Sequence, residues 1–318
     1  MSDKKLELVK RNTEEIISEQ ELKKVLKKKN PVIYCGYEPS GPLHLGHFVT
    51  IIKLMDFAKA GFKVKILLAD IHAMLNKKGD EIKINKQVEA WKKTVKAIGL
   101  NAEIVLGSDF QFEKKYQFDV MKLAQNSTIN RGLRSMQEIA RDIKNATISQ
   151  LWYPLMQAVD IKALGVDVAL GGLEQRKVHM IAKDMKNVLN YDFVAVHTPL
   201  ISSLKGPGEK MSSSVASSMI SVTDSNSDIK NKIRNAYCPA KKKEDNGVLQ
   251  IVKLIIFPLN GKIEVQRDKK FGGAVGFENY EELEKAYCSG NLHPLDLKNS
   301  VVECLEAIIK PIRNNFSK

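Results

Sequence analysis

The chain has 318 residues, enough to bury a sizeable core, and its 43% hydrophobic content suits a globular protein with one large domain and one smaller one. Fifty lysines and arginines against 37 acidic residues give a net charge of +13, spread along the sequence, which suggests a polyanionic partner. The first five residues are already charged, no apolar run approaches the ~18 residues of a membrane span, and Cys35, Cys238, Cys288 and Cys304 form neither a C-x-x-C pair nor a zinc spacing; a cytosolic protein with free thiols and no cleaved signal is expected.

Leu6–Lys29 alternates charged residues with Leu8, Ile16, Ile17, Leu22, Val25 and Leu26 at helical spacing, which predicts a helix or helix pair with a solvated lysine face. Pro31–Tyr37 reads as a strand that breaks at Pro39-Ser40-Gly41-Pro42, after which His44, Gly46 and His47 open an amphipathic run, Leu45–Phe57. On a helix the two histidines lie side by side in its first turn. Gly46 lets a ligand approach the backbone, and the free N–H groups at a helix start favour phosphate. Alone, H-x-G-H reads equally well as a buried turn with two ordinary histidines.

Lys63–Asp70 predicts a second buried strand, with His72 just beyond it, and Glu81–Ile98 an amphipathic helix closed by Gly99. Ala102–Ser108 is a third strand; Lys114–Gln125 and Met136–Ala140 read as helices, with Arg131, Arg134 and Arg141 between and within them. Ala146–Leu164 is a helix carrying Tyr153, Gln157 and Asp160 on one face. Val166–Leu170 runs into Gly171-Gly172 as the fourth strand, Glu174–Lys186 is its helix, and Phe193–Val196 is the fifth strand. This alternation argues for an α/β protein with a doubly wound parallel sheet, whose ligand sits beyond the carboxyl ends of the strands. Lys205-Gly206-Pro207-Gly208 then leads into Lys210-Met211-Ser212-Ser213-Ser214, which reads as a mobile loop with an ammonium and three hydroxyls. From Asp224 the texture changes. Asp228–Ala236, Val248–Phe257, Tyr280–Tyr287 and Leu295–Ile312 read as helices, joined by Lys241–Asn246 and Arg267–Gly276, so residues 1–223 and 224–318 are expected as a Rossmann-type domain and a smaller all-α domain.

Taken together and in this order, H-L-G-H and K-M-S-S-S resemble the HIGH and KMSKS signatures of class I aminoacyl-tRNA synthetases. From Arg11-Asn12-Thr13 to Pro311-Ile312-Arg313 the chain resembles the tyrosyl-tRNA synthetase family of the archaeal and eukaryotic type. The resemblance implies an amino acid activated by ATP with magnesium, no metal site of the protein's own, tRNA(Tyr) and L-tyrosine as partners, a homodimer, and an anticodon-binding role for residues 224–318. It assigns His44 and His47 to the phosphates and Lys210 to the leaving pyrophosphate, with Ser212 and Ser213 as added donors; relatives often carry lysine where Val215 stands. Gly46, Gly172 and Glu174 would also meet ATP, Glu174 at the ribose. Tyr34 and Asp160 would read the tyrosine hydroxyl, Tyr153, Gln157 and Gln175 the α-ammonium, and Gly36, Glu38, Leu67, Phe110 and Gln111 would line the pocket. Arg134, Arg176 and Lys177 would meet the acceptor end, and Phe271 and Asp296 the first anticodon base, although a core position in the small domain also fits Phe271.

The sister tryptophanyl enzymes are the first rival, and Asp160 facing Tyr34 speaks against them. Small nucleotidyltransferases share H-x-G-H but lack the second loop and this length. A non-catalytic RNA-binding paralogue would have no need of intact His44, His47 and Lys210.

Overall fold

The computed structural model describes residues 2–139, 143–208, 210–212 and 215–317. The chain packs as two compact units that interleave along the sequence. One holds Met1–Ser40, Lys53–Lys92 and Leu100–Pro199, the other Gly41–Ile52, Lys93–Gly99 and Leu200–Lys318. No helix among the described residues is long and apolar enough to cross a membrane.

The first unit is built on six strands, β1 (Glu15–Ile17), β2 (Val32–Tyr37), β3 (Lys63–Leu68), β4 (Glu103–Leu106), β5 (Val168–Gly172) and β6 (Val194–Thr198), in the order β1-β6-β5-β2-β3-β4. All neighbours run parallel except the edge strand β1, which is antiparallel to β6. The helices along this stretch are α1 (Ser2–Lys10), α2 (Glu19–Val25), α3 (Leu45–Lys59), α4 (Asp70–Leu75), α5 (Glu81–Ile98), α6 (Lys114–Gln125), α7 (Ile129–Met136), α8 (Ile148–Ala163), α9 (Arg176–Asp184) and α10 (Lys186–Leu189). Every residue of β5 and β6 is buried, as strands of a covered parallel sheet are. From β2 the chain winds outward through β3 and β4, then returns to β5 on the other side of β2. The switch point therefore lies between β2 and β5, and a fold of this kind takes its ligand at the carboxyl ends of those strands. Gly36, near that end of β2, is exposed although its strand is central.

The sequence reading departs from this structure at two places in the first unit. The stretch expected as one helix or a helix pair contains β1: Asn12 adopts a left-handed φ of 50° after α1, and the Glu14 N–H donates to the His197 carbonyl at 2.8 Å. Glu15-Ile16-Ile17 thereby joins the sheet edge, where β-branched residues pack well, but three residues are too few to show a period of two. The helix expected at Met136–Ala140 lies earlier, at Ile129–Met136, because the Thr128 side chain caps it by accepting from the Arg131 N–H. Ala140 and Arg141 lie outside the described residues.

In the second unit the H-L-G-H segment is held by backbone pairing: His44 bridges Ser221, the Leu45 N–H donates to Ile220 O at 2.9 Å, and the Val222 N–H to Leu43 O at 3.1 Å. Its helices are α11 (Asn226–Arg234), α12 (Gly247–Ile251), which continues through a π-helical turn into α13 (Phe257–Asn260), α14 (Tyr280–Ser289) and the long α15 (Pro294–Phe316). Leu297, Val301, Leu305 and Ile309 recur every fourth residue of α15 and are fully buried, as are Ile229 and Ile233 of α11, which packs against it. This part is not all-α. β7 (Ile263–Val265) and β8 (Val275–Phe277) form an antiparallel hairpin around the connection expected at Arg267–Gly276, its turn opened by Gly272 and Gly273 at positive φ.

Candidate active site

At the carboxyl ends of β2 and β5 the first unit gathers a buried polar cluster around Asp160 of α8. Its Oδ1 accepts from the Tyr116 hydroxyl at 2.7 Å and from Gln111 Nε2 at 2.8 Å, while Oδ2 is buried with no hydrogen-bond partner. Burial pushes the Asp160 carboxyl up to about 7, against the opposing pull of Gln111 and Tyr116. His72 of α4 stands 3.6 Å from Oδ2, and burial pulls it down to about 4, so it is neutral at pH 7. Gln111 Nε2 also lies 3.3 Å from His72 Nδ1. His72 Nε2, Gln111 Oε1, Gln157 Oε1 and Asp160 Oδ2 are all buried without partners. Each such atom costs ~1–3 kcal/mol when left unpaired, so the cluster is built to be completed by a polar ligand.

Around it stand most of the residues expected there. Tyr34 of β2 is buried and accepts a hydrogen bond from Gln157, and Gln157 Nε2 also donates to Gln175 Oε1 at 3.2 Å. Tyr34 thus keeps its own hydroxyl proton to donate, and burial holds its ionisation well above the usual phenol range. Tyr153 is hydrogen-bonded to Glu38 and meets the His72 ring edge to face at 4.5 Å; Glu38 in turn accepts from Asn76 Nδ2 at 2.9 Å. Gly36 lies beside Leu67 and the Tyr34 ring, and Phe110 packs edge to face on Tyr116. Tyr116 and His72 were not selected from the sequence. His72 carried a usable signal, a polar residue just past the carboxyl end of a parallel strand, whereas Tyr116 looked like any aromatic on an amphipathic helix. After β5 the chain turns tightly through Gly171-Gly172, where a Cβ on Gly171 would lie 2.8 Å from Gln175 Cβ; the turn sets Glu174 with its Oε2 buried and unpartnered.

The second unit holds the histidine pair. His44 and His47 stack at 3.8 Å between ring centroids at the start of α3. The Gly46 N–H donates to His44 Nδ1 at 3.1 Å, and the His44 N–H to His47 Nδ1 at 3.4 Å. With each Nδ1 accepting, each Nε2 carries the proton, so both rings present N–H donors without charge. Burial, then Lys210, pulls His44 down to about 4; burial, His44 and Lys210 hold His47 well below its usual range. A Cβ on Gly46 would lie 2.9 Å from the His44 ring, so only glycine admits this stacking. Lys210 is exposed while its neighbour Met211 is buried, anchored by its N–H to Ile201 O at 2.9 Å. The Ser212 carbonyl accepts from the Ser218 hydroxyl; Ser213 and Ser214 lie outside the described residues.

Arg134 of α7 is exposed beside a cavity of about 410 Å³ lined also by Asn130, Leu133, Gln137 and Ile143. On α9, Arg176 pairs with Glu15 at 2.8 Å, and Lys177 reaches Gln137 and Glu138. In the second unit Phe271 is 62% exposed, which rules out the core reading of that residue. Arg267 fastens its loop, donating to Gly273 O at 2.7 Å and to Asn291 O at 2.9 Å, just ahead of the first turn of α15, where Asp296 sits. Among the described residues no three His, Cys, Asp or Glu side chains converge to hold a metal ion.

A doubly wound sheet with an unfilled set of buried polar atoms near its switch point, in a chain that also carries a histidine pair at a helix start, is the frame of a nucleotide-using synthetase. The sequence matches the family tRNA synthetases class I (W and Y) over residues 26–310, and the chain belongs to that family. Its relatives fall on the tyrosine side. The tyrosine–tRNA ligase of Archaeoglobus fulgidus is 47% identical over 317 residues, covering 98% of this chain and 97% of the relative. That of Methanocaldococcus jannaschii is 47% identical over 311 residues, covering 98% and 99%. The crystal structure of the Archaeoglobus fulgidus tyrosyl-tRNA synthetase complexed with L-tyrosine superposes with a TM-score of 0.95 at 46% identity, over 99% of this chain and all of that one.

Proposed function

We infer that the protein is a tyrosine–tRNA ligase, which joins L-tyrosine to ATP as tyrosyl-adenylate with release of pyrophosphate and then passes the tyrosyl group to the 3′ end of tRNA(Tyr). Membership of the family and relatives at 47% identity across the full chain support the activity. The observation that carries the choice of amino acid is Asp160 Oδ2, a buried acceptor without a partner, next to a tyrosine hydroxyl that can donate. A substrate phenol completes both: its O–H donates to Asp160, and its oxygen accepts from Tyr34. Gln157, Gln175 and Tyr153 are assigned to the α-ammonium, with Gly36, Glu38 and Leu67 shaping the pocket.

In the first step the tyrosine carboxylate attacks the α-phosphorus and pyrophosphate leaves, so the protein's work is to position and to stabilise charge. His44 and His47 donate through Nε2–H to the phosphates as negative charge builds, and they do so as neutral groups at pH 7. Lys210 follows the leaving pyrophosphate, with Ser212 and Ser213 as further donors. Glu174 holds the ribose through its unpartnered oxygen, and Gly46 and Gly172 let the nucleotide approach the backbone. Magnesium enters with ATP as part of the substrate. Residues 224–318 are assigned to the anticodon through Phe271 and Asp296, and Arg134, Arg176 and Lys177 to the acceptor end. The exposed apolar side chains of Phe112, Phe118 and Met121 favour a homodimer, and the reading as a translation enzyme favours the cytoplasm.

The test is pyrophosphate exchange. Across the twenty amino acids tyrosine alone should support it, and the double variant Tyr34→Leu with Asp160→Ala should lose the preference for tyrosine over phenylalanine in kcat/KM while KM for ATP stays put. The preference arises because phenylalanine leaves two buried polar groups unpaired. If the double variant discriminates as the parent does, the hydroxyl is read by other residues.

A further inference from the structure

Glu15, on the edge strand β1, plays no part in the mechanism above, yet it ends a chain of hydrogen bonds that runs through the interior of the first unit. His179 Nδ1 lies 3.0 Å from His197 Nε2, His197 Nδ1 lies 3.1 Å from Glu15 Oε2, and Arg176 Nε lies 3.0 and 2.8 Å from the two Glu15 oxygens. Both histidines are buried, at 1% and 0% exposure. Burial lowers both imidazoles, so each is neutral at pH 7, and for neutral rings one assignment of protons satisfies every link. The carboxylate can only accept, so His197 donates from Nδ1; its bare Nε2 must then accept, so His179 donates from Nδ1. The chain gives Glu15 one orientation. The carboxylate in turn takes the Nε–H of Arg176 and no other proton of that guanidinium, and the two terminal nitrogens make no hydrogen bond to any described residue.

We propose that Glu15 is a positioning residue for tRNA: fixed by the buried His179–His197 chain, it holds Arg176 by Nε so that the two outward nitrogens of the guanidinium are aimed at the acceptor end. The inference rests on the reading of Arg176 as an acceptor-end contact and adds what makes that contact ordered before RNA arrives. The pair is partly exposed, so its direct electrostatic contribution to folding is small. Its value lies in geometry, because a guanidinium held at one edge offers its remaining fork to two oxygens of a phosphate or to a base edge. Ordering one long side chain in advance is worth ~2–12-fold in affinity.

The experiment uses Glu15→Thr, a strand-forming residue too short to reach Arg176, with Glu15→Gln as the conservative variant and Arg176→Ala as the control. In aminoacylation Glu15→Thr should raise KM for tRNA(Tyr) ~5-fold with kcat little changed, within the range one ordered side chain gives. Glu15→Gln, which still accepts from Nε, should stay near the parent, and tyrosine-dependent pyrophosphate exchange should be unchanged in both. Adding Glu15→Thr to Arg176→Ala should do no further harm, because Glu15 acts through Arg176. If Arg176→Ala leaves KM for tRNA unchanged, the acceptor-end reading itself fails. If Arg176→Ala raises it but Glu15→Thr does not, or if the two effects add, Glu15 does not position Arg176. Loss of exchange in Glu15→Thr would show that the carboxylate holds the sheet edge instead and would equally overturn the proposal.

Discussion

At pH 7 the Asp160 carboxyl stands midway between its two protonation states, because burial raises it to about 7 while Gln111 and Tyr116 pull the other way. Its folded value lies above the ordinary 3.8, so its contribution to stability is full below about pH 4 and is lost as the pH rises through about 7. A phenol that donates to Oδ2 needs the ionised form. Tyrosine binding near neutrality should therefore expel a proton, and affinity should weaken as the pH falls below about 7, by up to ~10-fold per unit. Calorimetry in two buffers of different ionisation enthalpy measures the proton directly. Asp160→Asn should bind with no proton release, and a parent protein that releases none would mean the phenol does not donate to Asp160. Part of this site was legible in the sequence: Tyr153, Gln157 and Asp160 share a face by spacing alone. Tyr116 was not, because its bond to Asp160 spans 44 residues and leaves no local trace.

Helix α3 shows how one element combines a site with a support. His44 stacks on His47 at its start, and from Lys53, six residues after His47, its middle carries a buried ion cluster. Asp56 accepts from Arg11 Nε at 2.8 Å and lies 3.3 Å from Lys53 Nζ, which also donates to the carbonyls of Val9 and Arg11 at the end of α1. Lys53 therefore supplies a cation where the end of a helix leaves carbonyls without partners. Asp56→Ala would strand Lys53 without its carboxylate, at a cost of ~3–5 kcal/mol in denaturant unfolding. Burial lowers Lys53 to about 8 against an ordinary 10.5, so between those values the unfolded chain binds the extra proton and stability rises with pH. The penalty of Asp56→Ala should accordingly shrink above about pH 8; a penalty independent of pH would mean Lys53 is not the group left unpaired. The helix itself was legible from its apolar period, but the partners of Lys53 and Asp56 lie more than forty residues away and were not.

For the molecule as a whole, the division of labour can be separated by two assays. Phe271→Ala and Asp296→Ala lie in the second unit, on a loop and a helix start that Arg267 fastens from one side. Each should lower aminoacylation through kcat/KM for tRNA by ~1–3 kcal/mol, as the loss of a base-edge contact does, and leave pyrophosphate exchange intact. Equal loss in both assays would mark a folding defect. The net charge of +13 agrees with a polyanionic substrate, and tRNA affinity should fall steadily as salt rises.

What the sequence determined by itself is whatever a window of ten to twenty residues can record. The strands β2 to β6 show as apolar runs between turn residues, the long helices show their period, and H-L-G-H and K-M-S-S-S carry their chemistry in adjacent residues. What only the tertiary structure decided is everything that depends on a distant partner. β1 is a strand because β6 offers it an open edge, and β7 pairs β8 across a glycine turn. The histidines become neutral donors through burial, and Glu15 meets Arg176 across 161 residues. Hydrogen bonds and desolvation act through space, at distances of about 3 Å, and the order of residues along a chain does not encode which of them will come that close.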